Sequence, residues 1–200
     1  MNKVMKQMAH IPIQVACEYT RALFLDRDGV INHDTGYASY PKEIEFIDGI
    51  FELVRIANTL GYLVIIVTNQ SGIGRGLFSL EVFLDLMEWM KNQFQSHDAY
   101  INAIYYCPCH PTEGLGEYLR DCNNRKPNPG MLLKAKKDFG IDMQRSLLIG
   151  DKETDIQAGN RAGVGQTILL GQSASSLKEC ANVKKLTEVQ KLLSEGTHKY

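Results

Sequence analysis

Two hundred residues, 44% of them apolar, are enough to bury one sizeable core but not two full domains. With 22 basic against 23 acidic residues the net charge is -1, which excludes a broad electrostatic field that would gather nucleic acid or an anionic membrane. No run reaches the length of a membrane span, and residues 1–19 lack the apolar segment and cleavage site of a secretory signal, so a cytoplasmic protein, monomeric by default, is expected.

Residues 1–20 show no clear period and read as an N-terminal extension, with a single domain over 21–195. Leu23, Phe24 and Leu25 form an apolar run that stops at Asp26-Arg27-Asp28-Gly29. Such a run predicts a short buried strand whose C-terminal edge carries Asp26 and Asp28, the edge at which open parallel sheets hold ligands. Two crowded carboxylates repel each other unless a cation or a shared proton relieves them; alone, the pattern equally fits a solvated Asp-x-Asp-Gly turn. A polar loop follows over 32–42, long enough to lean over the carboxylates. Ile50, Leu53, Val54, Ala57 and Leu60 then have the spacing of a helix with one buried face, stopped by Gly61.

Residues 62–67 are nearly all apolar and predict a second strand, ending in Thr68-Asn69-Gln70-Ser71-Gly72-Ile73-Gly74-Arg75-Gly76. Hydroxyl and amide groups followed by glycines suit close approach of an anion, although glycine-rich connectors without function are equally common. Ser79 predicts an N-cap for a helix burying Phe83, Leu84, Met87, Met90 and Phe94. A third strand is expected over 101–106. The loop 107–124 then holds Cys107, Cys109, His110 and Cys122, three of five cysteines, which in a reducing compartment point to metal more than to disulfides. Three thiols with His110 or water could close a tetrahedral zinc site, with incidental cysteines the alternative. Arg125-Lys126-Pro127 comes next, then Pro129-Gly130 and a helix burying Met131, Leu132, Ala135 and Phe139. A fourth strand over 146–149 ends in Gly150-Asp151-Lys152-Glu153-Thr154-Asp155. A helix with Ile156, Ala158 and Ala162, a fifth strand over 166–170 and a weakly helical tail complete the chain.

Strands alternating with helices predict an α/β fold, a doubly wound parallel sheet in which strand ends converge on one crevice. Asp26, Asp28, Thr68, Asn69, Asp151 and Asp155 would meet there, with Arg125 and Lys126 from a loop. An oxygen-rich floor favours Mg²⁺, and the donors and cations around it suit a phosphate monoester. Asp26 is the natural nucleophile, and Asp28 can protonate the leaving oxygen and then deprotonate water.

These residues resemble the haloacid dehalogenase-like phosphohydrolases through Leu25-Asp26-Arg27-Asp28-Gly29, Val67-Thr68-Asn69, Lys126 and Gly150-Asp151-Lys152-Glu153-Thr154-Asp155, in that order. The likeness is closer to the D-glycero-D-manno-heptose 1,7-bisphosphate phosphatase and histidinol-phosphatase family through Thr68-Asn69-Gln70-Ser71-Gly72-Ile73-Gly74-Arg75-Gly76, Tyr105-Tyr106-Cys107-Pro108 and Arg125-Lys126-Pro127-Asn128-Pro129-Gly130-Met131. The resemblance implies a Rossmann-like domain without a separate cap, because neither interval between the motifs has room for one. It implies magnesium held by Asp26, the main-chain carbonyl of Asp28, and Asp151, with Thr68 and Lys126 stabilising the phosphoryl group. Asp34, Thr35, Gly36, Tyr37, Asn69, Gln70, Ser71, Arg125 and Lys152 would contact a small sugar phosphate. The family commonly binds zinc through a Cys-x-His and a Cys-x-Cys pair; here Cys109 and Asn124 replace a His and a Cys, so Cys107, Cys109, Cys122 and His110 are the expected ligands. Expected activity is removal of the C7 phosphate of a heptose 1,7-bisphosphate through an aspartyl phosphate. Histidinol-phosphate hydrolysis is the alternative, and a phosphate-responsive regulatory module a distant one, since a receiver gains nothing from Asp28.

Overall fold

The first strand, β1 (Arg21–Leu25), forms because Ala22, Leu23, Phe24 and Leu25 are apolar in unbroken succession, and such a run is stable only when both faces are covered. All four are fully buried. The computed structural model describes residues 20–171 and 180–196. Most of the N-terminal extension, Cys17 included, therefore lies outside the described residues.

Among the described residues, six parallel strands follow the chain as β1, β2 (Tyr62–Asn69), β3 (Ala103–Cys107), β4 (Leu147–Gly150), β5 (Gln166–Leu170) and β6 (Ala181–Val183). Their order across the sheet is β3-β2-β1-β4-β5-β6, so the order reverses between β1 and β4. In such sheets the crevice above that reversal is the ligand site. Alternate residues of each strand face opposite layers. Leu23, Leu25, Val64, Ile66 and Ile149 pack with α1 (Ile50–Thr59), α3 (Leu80–Gln95) and α6 (Leu186–Gly196). Phe24, Ile65, Val67 and Leu148 pack with α4 (Gly130–Phe139) and α5 (Glu153–Ala162). A one-turn helix, α2 (Ser71–Gly74), follows β2 directly.

The strand cores match expectation, but the ladder carries their ends further. Thr68 and Asn69 pair with Tyr106 and Cys107, so Thr68, Asn69 and Cys107 belong to strands rather than to the loops beyond them. The expected third strand starts two residues late, at Ala103, because Asn102 turns its side chain to accept from the Val64 amide. Gly72 and Gly74 are also required by packing: a methyl group on them would meet the Phe78 ring at 2.4 Å and the Pro108 carbonyl at 2.2 Å. Ser79 does cap α3, accepting from the Val82 amide. Leu84 and Phe139, expected in the core, are exposed; Leu86 takes the buried position on α3. The strand β6 was not expected in the tail.

No helix among the described residues is long and apolar enough to cross a membrane. Phe24 stands in a central strand with no exposed surface, so Phe24→Ala is expected to lower unfolding free energy by about 3–5 kcal/mol, read from denaturant titration.

Candidate active site

Parallel pairing sets the C-terminal ends of β1, β2 and β4 side by side, and this places three polar groups of different origin at one point. Asp26 follows β1, and its amide donates to Ile149 O on β4 at 3.0 Å, so the chain is still in register where its side chain begins. Lys126 reaches in from the segment before α4. Its Nζ lies 2.7 Å from Asp26 Oδ1, 2.6 Å from Asp155 Oδ1 and 2.8 Å from the Val67 carbonyl. All three side chains are buried. Asn69 fixes the lysine backbone, accepting from Lys126 N at 3.0 Å and donating to Lys126 O at 3.1 Å.

Burial alone would depress the Lys126 ammonium, but the charges of Asp155 and Asp26 outweigh it and hold it above the usual lysine range. For Asp26 the balance is opposite: burial outweighs the pull of Lys126, Asp155 adds repulsion, and its carboxyl is raised. Burial and then the Asp26 charge push the Asp151 carboxyl up to about 7. The Lys126 ammonium therefore serves two carboxylates, while Asp151 has, among the described residues, only the more distant Lys152 Nζ at 3.8 Å. Asp26, Asp151 and Asp155 offer oxygens within 4.8 Å of one another, and buried Asp151 Oδ1 has no hydrogen-bond partner. An all-oxygen donor set with an orphaned carboxylate oxygen fits a hard divalent cation. The chain leaves room for this arrangement: a methyl on Gly29 would fall 2.3 Å from Asp151, and one on Gly150 would fall 2.2 Å from Asp155.

The cleft above the strand ends encloses about 440 Å³ and is lined by Asp26, Asp28, Thr68, Arg125, Lys126 and Lys152, among others. Asp34, Gly36, Tyr37, Asn69, Gln70 and Ser71 also reach it. Thr35 does not; it lines a separate depression with Tyr37, Ala38 and Glu43, on the outer side of the same loop. Asn69 and Gln70 are occupied inside the protein, the former with Lys126 and the latter donating to Thr68 Oγ1 at 2.9 Å and Asp28 Oδ2 at 3.2 Å. Lys152 Nζ bridges the mouth to Asp34 Oδ2 at 2.9 Å. Partial burial would raise Asp34, but Lys152 and the Gly36 amide hold it below the usual range. Thr154 lines the cleft without having been expected as a site residue, and Gly72 and Asp155, from stretches that were expected there, line it too. Asp155 stands where the sequence placed it: four residues after Asp151, it falls on the first turn of α5 and points back at the strand ends.

Cys107, Cys109 and Cys122 bring their sulfurs within 4.8 Å of one another. His110 stands outside this group. Its Nδ1 accepts from the amides of Thr112 at 3.3 Å and Glu113 at 3.1 Å, so the ring serves its own turn. The cysteine loop also holds Arg125, whose Nη1 donates to Cys109 O at 3.0 Å.

Residues 123–195 match the family model described as HAD-hydrolase-like. The chain is 56% identical over 150 residues to D-glycero-alpha-D-manno-heptose-1,7-bisphosphate 7-phosphatase of Burkholderia mallei, spanning 75% of this chain and 79% of that one. It is 48% identical over 149 residues to the corresponding beta-anomer phosphatase of Vibrio cholerae, spanning 74% and 80%. Among solved structures, a putative HAD-like phosphatase from Mesorhizobium loti superposes with a TM-score of 0.81 at 38% identity, covering 88% of this chain and 85% of that one. D,D-heptose 1,7-bisphosphate phosphatase from B. bronchiseptica, complexed with magnesium and phosphate, superposes at 0.78 with 25% identity, covering 88% and 99%.

If the three carboxylates hold a cation, Mg²⁺ at a hundred times its dissociation constant stabilises the folded protein by about 2.7 kcal/mol. The expected rise in melting temperature on adding Mg²⁺ to metal-free protein should disappear in Asp151→Asn.

Proposed function

The chain belongs to the D-glycero-D-manno-heptose-1,7-bisphosphate 7-phosphatase family of haloacid dehalogenase-like hydrolases, and from that premise we propose that it removes the C7 phosphate of a heptose 1,7-bisphosphate to leave heptose 1-phosphate. The observation that carries this reading is that Asp26, Asp28, Thr68 and Lys126 line one cleft together with Arg125 and Lys152, whose charges suit a second phosphate. A receiver-type regulatory module has no use for a second carboxyl lining the cleft two residues after the first, whereas a turnover enzyme does.

Asp26 and Asp151, with the main-chain carbonyl of Asp28, are the residues that would hold magnesium, which when bound neutralises phosphate charge and orients the ester. Lys126 engages Asp26 Oδ1, leaving Oδ2 for phosphorus. Asp26 attacks, the bond from phosphorus to the C7 oxygen breaks, and Asp28 gives that oxygen its proton. Asp28 then takes a proton from water, whose oxygen attacks the aspartyl phosphate and releases inorganic phosphate and free Asp26. Thr68 and Lys126 stay beside the phosphoryl group throughout. Arg125 and Lys152 hold the remote phosphate, and Asp34, Gly36 and Tyr37 face the sugar.

The catalytic unit spans residues 21–195 and is read as a cytoplasmic monomer. Zinc in the cysteine loop would be structural. Three clustered sulfurs support it, with water completing the tetrahedron in place of His110. Metal analysis of protein purified without chelator should find about one equivalent of zinc, and removing the zinc and then restoring excess Mg²⁺ should loosen Arg125 and raise KM before kcat.

Two kinetic outcomes test the activity. The kcat/KM for heptose 1,7-bisphosphate, measured on both anomers, should exceed that for histidinol phosphate by roughly tenfold or more; the reverse preference selects the other branch of the family. Asp28→Asn should lower kcat by roughly 10²–10⁴-fold while Mg²⁺ binding survives; an unchanged kcat removes Asp28 from the mechanism.

A further inference from the structure

Arg27 lies between the nucleophile and the acid/base in sequence, yet it is 1% exposed, the bulkiest fully buried side chain among the described residues. Long cations are almost never buried without a partner to compensate the loss of water. Its partner is the neighbouring side chain. Arg27 Nε and Nη2 donate to Asp28 Oδ1 at 3.0 and 2.7 Å, and Nη2 also lies 2.7 Å from Oδ2. Successive side chains of an extended strand point to opposite faces, so this contact exists only because the chain turns. The turn is visible in the backbone: the Arg27 carbonyl accepts from the amides of Val30, Ile31 and Asn32 at 3.3, 2.8 and 3.2 Å.

Two further donors converge on the same carboxyl. Asn32 Nδ2 reaches Oδ1 at 3.0 Å, and Gln70 Nε2 reaches Oδ2 at 3.2 Å. The Arg27 guanidinium also donates to Ala38 O at 3.3 Å, in the loop that carries Asp34, Gly36 and Tyr37 to the cleft. A free aspartate at a loop entrance samples several rotamers, and a proton-transfer group must stand within hydrogen-bond reach of its target. A planar fork with two fixed donors removes that freedom in a way a lysine cannot.

We propose that Arg27, seconded by Asn32 and Gln70, is a positioning residue that locks the Asp28 carboxyl toward the leaving oxygen and ties it to the substrate-facing loop. This rests on the reading of Asp28 as acid/base. Its chemical signature is selective. An alkyl ester needs its leaving oxygen protonated as the phosphorus bond breaks. p-Nitrophenyl phosphate does not, because nitrophenolate departs as a stable anion while phosphorus passes to Asp26. Disturbing the fork therefore slows phosphorylation of Asp26 by the sugar ester and spares phosphorylation by the aryl ester. Hydrolysis of the aspartyl phosphate slows for both.

The test compares wild type, Arg27→Lys and Gln70→Ala, all with Mg²⁺. For Arg27→Lys, single-turnover release of phosphate from the heptose bisphosphate should fall roughly 10²-fold, with KM and the affinity for inorganic phosphate within about threefold of wild type. The burst of nitrophenolate should keep an amplitude near one per enzyme and a rate within about threefold of wild type, followed by slow turnover. Gln70→Ala, which removes one donor, should show the same pattern weakened. Equal loss on both esters, loss of phosphate affinity along with rate, or undiminished turnover of the sugar ester overturns the assignment. If Arg27→Lys does not fold, Gln70→Ala alone decides by the same readouts. Should wild type prefer another alkyl monoester, that ester replaces the bisphosphate: the substrate reading then fails while the role of Arg27 is judged separately.

Discussion

The Lys126 ammonium, enclosed between Asp26, Asp155 and the Val67 carbonyl, is the contact on which the rest of the site depends. Withdrawing three charges from water costs several kcal/mol per ion unless geometry and hydrogen bonds repay it. Here every nearby element contributes to that geometry. The ladder from β1 to β4 carries the chain in register up to Asp26, Asn69 on β2 bonds both sides of the lysine backbone, and Gly150 leaves the space that Asp155 fills. The cluster remains one positive charge short even before Asp151 is counted. That shortfall gives the site its affinity for a cation, and it explains why a pair of like charges is tolerated at the end of a central strand.

A second network holds Asp28, the proposed acid/base. Asp28 lines the same cleft as Asp26 but belongs to a different network, held by Arg27, Asn32 and Gln70 rather than by Lys126. Two carboxyls separated by one residue thereby acquire distinct partners. The cleft itself is shaped by loops. Lys152 bridges to Asp34 at its mouth, and Arg75 links Tyr37 of one loop to Glu113 of the other through a hydrogen bond and an ion pair.

Strand identity and the polar groups that meet in the cleft were legible because both rest on local pattern: apolar runs of four to eight residues that end in carboxylates or hydroxyls can be read without a fold. What was hidden rests on distant partners. Thr68 and Asn69 belong to β2 because β3 continues the ladder beside them. That Gly72 and Gly74 also serve packing was not legible, because Phe78 and Pro108, which occupy the space a side chain would need, come together only in the fold. His110 has the right chemistry for zinc and the right neighbours in sequence, yet its ring is claimed by the amides of its own turn. Leu84 and Leu86 lie two residues apart, and only the packing of α3 decides which is buried. The strand β6 is three residues long, too short for any period to show.

The central claim is that Asp26, braced by Lys126, takes the phosphoryl group. Acid quenching during turnover of the heptose bisphosphate, followed by borohydride reduction and peptide mass spectrometry, reads that bond directly, because reduction converts an aspartyl phosphate to homoserine. The predicted result is homoserine at position 26, with position 28 unmodified. Modification at Asp28 or Asp151, or none under conditions in which Asp28→Asn still releases the first leaving group, would contradict it.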